Sequence, residues 1–286
     1  MATVLSGTLV AQQLATKLQK RIGLLRQQQV IPTLATIIVG NDKASLLYAN
    51  RQQQTARNLG INYQLITLSQ QTTEQQLLQV IQELNQDVTV DAILIQTPLP
   101  AAINPQVIRQ QVAPIKDVEG QSAESIGRLW NGQSGNLPTT AVAIMKLLHF
   151  YQIAVSKKHV VIVGRSSIVG KPLAALLLRE NATVTIAHSY TDNLASLTRR
   201  ADILVVAIGK ANFITAKYVH PGCIVIDVGT NRDATGKIVG DVAFQQVQAV
   251  AQMITPVPGG VGPLTVMSLL EQVVMIAERR EKQHGR

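Results

Sequence analysis

Residues 159–178 read HVVIVGRSSIVGKPLAALLL. A β-branched run, Val160 to Val163, stops at Gly164. A short polar turn follows, Arg165-Ser166-Ser167, and then Gly170, Pro172 and an apolar stretch of helical character from Leu173 to Leu178. This spells strand, glycine turn, helix. Backbone N–H groups at such a helix start attract anions. Gly164 lets the chain turn tightly and approach a ligand, and Gly170 is expected to let the helix pack close to the sheet. The spacing is G-x-S-x-x-x-G, one residue longer than the usual dinucleotide fingerprint, with Ser166 where the second glycine would stand. Taken alone, the motif also fits a turn in an ordinary α/β domain. The strand TVTIAH (183–188) follows at the distance a β-α-β unit requires.

Working outward, 202–208 and 223–228 read as further strands, with a helix at about 192–200 between units of the same kind. Upstream, Leu9, Leu14, Leu18, Ile22 and Leu25 mark a helix over 7–29. Strand 33–40 leads into a helix over 43–59, capped by Asp42 or Asn41 and ended by Gly60. Strand 61–68, a helix from Thr72 or Thr73 through Leu84, strand 91–96 and a short helix near 104–111 follow. A helix starts at Pro138-Thr139-Thr140, and the last helix is expected over Leu264 to about Glu278. Strands alternating with helices predict an α/β protein with parallel sheets. The domains are expected at 1–138 plus 266–286 and at 139–265, the last helix returning to the first domain. Ligands of such sheets sit outside the carboxyl ends of the strands.

The 286 residues allow one large or two ordinary domains. Apolar residues make up 46% but aromatics only 3%, so the core must be aliphatic. No apolar run nears 18 residues, so no membrane span is expected, and the first residues do not read as a signal peptide. The single cysteine, Cys223, excludes an intramolecular disulfide and reads as a buried apolar residue. No metal site is read. These features point to a cytoplasmic protein. A net charge of +9 suits anionic small molecules as well as nucleic acid. The charges are scattered apart from the tail 278–286, which reads as a solvated end, and no nucleic-acid-binding motif is present.

Several segments converge on one family. VGNDKASLLY (39–48), QTPLP (96–100), PIKDVEG (114–120), GRSSIVGKP (164–172), IDVGTNR (226–232), GKIVGDV (236–242) and TPVPGGVGPLT (255–265) occur in that order. On these motifs the chain resembles the bifunctional methylenetetrahydrofolate dehydrogenase/cyclohydrolase family, the FolD type, over nearly its whole length. The resemblance implies a substrate domain followed by a Rossmann-type NAD(P)-binding domain, with a cleft between. It implies a homodimer and tetrahydrofolate derivatives as substrates; from the charge pattern and the missing apolar run, no nucleic-acid or membrane partner is expected. It also implies that Gly164, Arg165, Ser166, Ser189 and Thr230 hold the cofactor, and that Tyr48 and Gln96, with Pro258, Gly259 and Gly260, face the substrate. Arg165 and Ser189, with no acidic residue at the end of strand 183–188, favour NADP over NAD.

Three departures bear on chemistry. The family places a lysine four residues after its tyrosine; here that position is Gln52. Its second aspartate, which would hold the pterin ring, is Glu119. The usual Phe-His and following asparagine are Gln121-Ser122 and Ser125, and the Thr-Pro-x-Gly helix start is Thr140-Ala141-Val142-Ala143. Hydride transfer needs mainly proximity and orientation. Hydrolysis of the methenyl product needs protons to move, and glutamine does not titrate near neutral pH. The expectation is therefore an NADP-dependent dehydrogenase with weak or absent cyclohydrolase activity. The alternatives are a fully bifunctional enzyme and an NADP-binding paralogue with another substrate or only a binding role.

Overall fold

The computed structural model describes residues 1–284. In chain order the elements are β1 (Thr3–Val4), α1 (Gly7–Gln27), β2 (Thr33–Val39), α2 (Lys43–Leu59), β3 (Asn62–Leu68), α3 (Glu74–Gln86), β4 (Ala92–Ile95), α4 (Pro105–Arg109), α5 (Ala123–Trp130) and α6 (Thr139–Phe150). They continue with β5 (His159–Val163), α7 (Gly170–Arg179), β6 (Thr183–Ala187), α8 (Leu194–Thr198), β7 (Ile203–Val206), β8 (Ile224–Asp227), β9 (Asn231–Arg232), β10 (Ile238–Val239), α9 (Phe244–Gln248), β11 (Met253–Ile254) and α10 (Val261–His284). The chain divides into two compact units, one of Met1–Gln13 with Thr140–Ser268 and the other of Leu14–Thr139 with Leu269–Arg286.

The three-stranded unit has strand order β3-β2-β4, all parallel. Every residue of the central strand β2 is buried, as its unbroken run Thr33-Leu-Ala-Thr-Ile-Ile-Val39 requires of a strand covered on both faces. The helices start and stop where the local chemistry directs. Asp42 Oδ1 accepts from the Ser45 N–H at 2.8 Å, and Gly60 ends α2 in the left-handed region at φ 91°. Thr73 and Gln76 form a reciprocal cap on α3. The core gathers aliphatic side chains such as Ile37, Leu77, Ile81, Ile93 and Ile108.

The other unit carries a six-stranded sheet of order β1-β11-β8-β7-β5-β6, also parallel wherever strands pair. β5 lies between β6 and β7, so the strand order reverses beside it and a crevice opens at its carboxyl end. That is where Gly164 stands. Cys223 is buried, and burial pushes its thiol up to about 12, so it packs as an inert apolar group.

The structure differs from the sequence reading in five places. Residues 1–13 join the six-stranded unit, not the domain expected at 1–138, because Thr3 and Val4 pair with Met253 and Ile254. α10 begins at Val261, three residues before the expected Leu264. Its stretch Val261–Gln283 is long and apolar enough by length and composition to cross a bilayer, contrary to the reading of no such run, but 61% of the window is buried inside the protein, as in a core helix. The tail expected to be solvated is engaged over Glu278–Arg280: Glu278 pairs with Arg21 at 2.7 Å, Arg279 donates to Asn136 at 2.7 Å and Arg280 pairs with Asp91 at 3.1 Å. The last two tail residues, Gly285 and Arg286, lie outside the described residues. Finally, Gly170 packs against the turn itself and not the sheet: a Cβ there would lie 2.0 Å from the Gly164 carbonyl oxygen.

Candidate functional site

In the six-stranded unit the turn after β5 is built for close approach. Gly164 has φ +129° and donates its N–H to the Ala187 carbonyl at 2.8 Å. The Ser166 hydroxyl accepts from the Val169 N–H at 3.1 Å, and the Ser166 carbonyl accepts from Lys171 at 3.0 Å, so the serine closes the turn that leads into α7. A cavity of about 300 Å³ opens here, lined by Gly164, Arg165, His188, Ser189, Lys210 and Phe213 among others. Its lining holds two permanent cations and no carboxylate. The Arg165 guanidinium stands 5.6 Å from the centre of the Tyr190 ring, a stacking distance for a cation on an aromatic face. The residues fit an anionic nucleotide: backbone donors at a tight turn, two cations and an exposed serine after β6.

One contributor escaped the sequence reading. Asp241 is fully buried and grips the loop that carries Lys210. Its Oδ2 accepts from the Ile208 and Gly209 N–H groups at 2.7 and 3.0 Å, and its Oδ1 accepts from Lys210 N–H at 2.8 Å and from Asn231 at 2.9 Å. The aspartate in GKIVGDV is the only sequence signal for this, and only the fold shows which loop it holds.

A smaller cavity of about 150 Å³ in the same unit is lined by Thr230, Pro258, Gly259 and Gly260. The Pro258–Gly260 turn is pinned by the start of α1, where the Gly7 and Thr8 N–H groups donate to the Gly259 carbonyl at 2.9 and 3.1 Å. The structure thus groups Thr230 with the proline–glycine turn within one unit.

In the three-stranded unit, Tyr48 and Gln52 lie one turn apart on α2, Gln96 follows β4, and Glu119 sits on the segment after the Ile93–Asp117 bridge. Tyr48 is 40% exposed, yet its hydroxyl titrates above its usual value, first through burial and then through the Glu119 charge. Gln52 is buried. Its Oε1 accepts from the Tyr63 hydroxyl at 3.0 Å, while its Nε2 is buried with no hydrogen-bond partner among the described residues. Burial pushes the Glu119 carboxyl up to about 7, Arg109 pulls it down and Asp117 pushes it up. The Glu119 segment is locked in place. Gln272 donates to the Val118 and Leu137 carbonyls, the latter at 3.0 Å, and accepts from the Leu137 N–H at 3.2 Å. A Cβ on Gly120 would lie 2.5 Å from the Leu137 carbonyl carbon.

The serines that replace the usual residues have a structural role of their own. Ser122 caps α5, donates its N–H to Asp117 Oδ2 at 2.8 Å and its hydroxyl to Ser125 Oγ at 2.8 Å. Ser125 donates in turn to Asp117 Oδ2 at 3.1 Å. No lysine lies between 44 and 115. Lys116, the next one along, donates to the Leu84 and Asp87 carbonyls at 2.8 and 2.6 Å and is held there. Among the described residues no cluster of His, Cys, Asp and Glu is arranged to hold a metal ion.

Comparison with known proteins bears on both units. The family described as tetrahydrofolate dehydrogenase/cyclohydrolase, catalytic domain, matches residues 5–119, and the NAD(P)-binding domain of the same description matches residues 138–281. A protein of Ligilactobacillus salivarius named "Bifunctional protein FolD" is 48% identical over 279 residues, covering 98% of each chain. The crystal structure of the bifunctional enzyme FolD, methylenetetrahydrofolate dehydrogenase/cyclohydrolase, from Campylobacter jejuni superposes with a TM-score of 0.96 at 40% identity, covering 98% of this chain and 100% of that one. A Trypanosoma brucei methylenetetrahydrofolate dehydrogenase-cyclohydrolase, solved with NADP cofactor and inhibitor, gives a TM-score of 0.92 at 34% identity, covering 97% of this chain and 98% of that one.

Proposed function

The chain belongs to the tetrahydrofolate dehydrogenase/cyclohydrolase family, and from that premise we propose that it oxidises 5,10-methylenetetrahydrofolate with NADP and hydrolyses the methenyl product more slowly. The names of the full-length relatives favour two activities over the single activity expected from Gln52. The observation that carries the dehydrogenase is the turn at Gly164 with its cation-lined cavity. The bound cofactor supplies the hydride acceptor. The protein's part is to hold it: the Gly164–Ser166 turn offers backbone donors to phosphate, and Arg165 offers a planar cation. On the folate side, Glu119 in its ionised form accepts hydrogen bonds from a pterin ring. Tyr48 and Gln96 supply further donors and acceptors. A homodimer in the cytoplasm is the assembly and location we assign to this reading, on the family resemblance.

The hydrolytic half is the slower one because Gln52 has no proton to exchange near neutral pH and its carbonyl is already engaged by Tyr63. The test follows both half-reactions on the purified protein. NADPH formation from methylenetetrahydrofolate, with transient methenyl accumulation, is the expected result. Bound NADP with no NADPH formed would sink the proposal and favour a paralogue that does not act on folates.

NADP preference rests on Arg165. Arg165→Ala is expected to weaken NADP binding by tenfold or more, the loss of a charge-assisted contact of about 1.5–3 kcal/mol, with little change for NAD. Titration of both cofactors checks this; an equal loss for the two would place the arginine off the 2′-phosphate.

A further inference from the structure

The three-stranded unit carries a second region of positive charge. A cavity of about 680 Å³ borders the amino ends of its strands, where Thr33 opens β2 and Asn62 opens β3. Three arginines line it: Arg26 from the last turn of α1, Arg57 from the last turn of α2 and Arg280 from α10. The lining holds no carboxylate. Ile31, Ile61 and Val88 give it an apolar wall, and two of these, Ile31 and Val88, are exposed. The folate-side residues stand at the other end of the sheet: α2, with Tyr48, starts after the carboxyl end of β2, and Gln96 follows β4. Arg280 is held by the buried Asp91. Its Nε pairs with Asp91 Oδ1 at 3.1 Å and its Nη1 donates to the Val88 carbonyl, while Asp91 Oδ2 accepts from the Thr33 N–H at 2.8 Å. Arg26 Nη2 donates to the Gly60 carbonyl at 3.2 Å, at the end of α2. The Arg57 side chain has no partner among the described residues. Asp87, next to the lining residue Val88, accepts from Thr89 and faces Lys116. Asp91 thus neutralises Arg280, and Arg26 and Arg57 face the cavity with no carboxylate partner among the described residues.

We infer that this cavity binds an organic phosphate, a phosphate ester whose charge meets Arg26 and Arg57 and whose apolar or planar body lies on Ile31, Ile61 and Val88. A guanidinium offers a planar fork of donors that matches phosphate oxygens. Two uncompensated guanidiniums on one cavity repel each other, and a dianion between them turns that repulsion into attraction. The size is that of a small-molecule site, which combines apolar walls with a few polar groups. An inorganic ion would fill only a small part of the volume and leave the apolar wall in water, so the ester's body adds buried apolar area to the charge contact. Asp91 acts here as a positioning residue: it holds Arg280 at the cavity wall and spares the ligand a third fully desolvated cation. Every lining residue belongs to the one compact unit, so the site is complete within it.

The test titrates the full chain, free of NADP and at low ionic strength, with phenyl phosphate, inorganic phosphate and benzoate, and reads affinity by calorimetry. Phenyl phosphate should bind tightest. Arg57→Gln should weaken it about tenfold or more, the loss of a charge-assisted contact. Lys20→Gln removes the same charge from an exposed position outside the lining and should change it by less than about twofold. Ile31→Ser should weaken phenyl phosphate about fivefold and leave inorganic phosphate unchanged. Neither Arg57 nor Ile31 makes a side-chain hydrogen bond, so both variants should fold as the parent does, which denaturant melts check. Location is read by amide hydrogen exchange: phenyl phosphate should protect the segments around 60–62 and 88–90 in the parent and not in Arg57→Gln. The cofactor turn at 164–171 is followed in the same experiment, because it too attracts phosphate. Protection at that turn alone overturns the proposal, as does no binding at millimolar phenyl phosphate. An equal loss in Arg57→Gln and Lys20→Gln would reduce the effect to net charge and overturn it. Inorganic phosphate or benzoate binding as tightly as phenyl phosphate would overturn the assignment to a phosphate ester. None of these outcomes touches the dehydrogenase reading, which the NADPH assay decides.

Discussion

Gln52→Lys is expected to raise methenyl hydrolysis by about 10²-fold, the lower end of what a positioned acid–base group contributes, while the dehydrogenase rate moves only a few-fold. Position 52 is four residues after Tyr48, so both side chains leave α2 on one face. It is also 1% exposed. An ammonium placed there is desolvated, and desolvation lowers an amine's pKa toward the working range. The substitution has a cost. The Tyr63 hydroxyl loses its acceptor at 3.0 Å, and a cation replaces a neutral amide in a buried place, so stability should fall by about 1–3 kcal/mol. Gln52→Met separates the two effects. It removes the buried Nε2, which has no hydrogen-bond partner among the described residues, introduces no titratable proton and should give no gain in hydrolysis. Both variants are assayed for the two half-reactions and melted in denaturant. A folded Gln52→Lys that hydrolyses at the parent rate would show that the position no longer addresses the substrate.

The same residue shows how far a sequence can be read. Helix spacing placed Gln52 on the Tyr48 face and its chemistry excluded titration. That its carbonyl meets Tyr63 on β3 was not legible, because the contact depends on how β3 lies under α2. The long periodic stretches, such as α2 with Asp42 before it and Gly60 after it, carry their own start and stop signals and could be placed from sequence. β1 and β11 could not: each is two residues long, and they exist only because residues 3–4 meet residues 253–254 across almost the whole chain. The caps at Ser122 and the grip of Asp241 on residues 208–210 are of the same kind. A polar side chain announces that it will bond, and only the fold decides to what. Arg279 and Arg280 read as a charged end for the same reason, since Asn136 and Asp91 are far away in sequence.

Gly164→Ala should destabilise the protein by about 4 kcal/mol and abolish measurable NADP binding, whereas the same change at Gly209 should cost only about 1 kcal/mol and leave the turn intact. Both glycines have positive φ, +129° and +65°. The value at Gly164 lies in backbone space open in practice only to glycine, a strain of about 1–3 kcal/mol for alanine. The new Cβ would also sit 2.3 Å from the Ala207 carbonyl oxygen, which must move, adding about 1–3 kcal/mol. That carbonyl belongs to the loop after β7, and Gly164 O is itself the atom Gly170 packs against, so a shift spreads to the start of α7. At Gly209 the conformation is the left-handed one that other residues enter at about 1–2 kcal/mol, and no atom lies within 4 Å of the added carbon. The Gly209 N–H keeps its bond to Asp241. Denaturant melts and NADP titrations of the two variants check the contrast. Equal stability loss with parent-like NADP binding in Gly164→Ala would mean that close packing at this turn is not what forms the cofactor site.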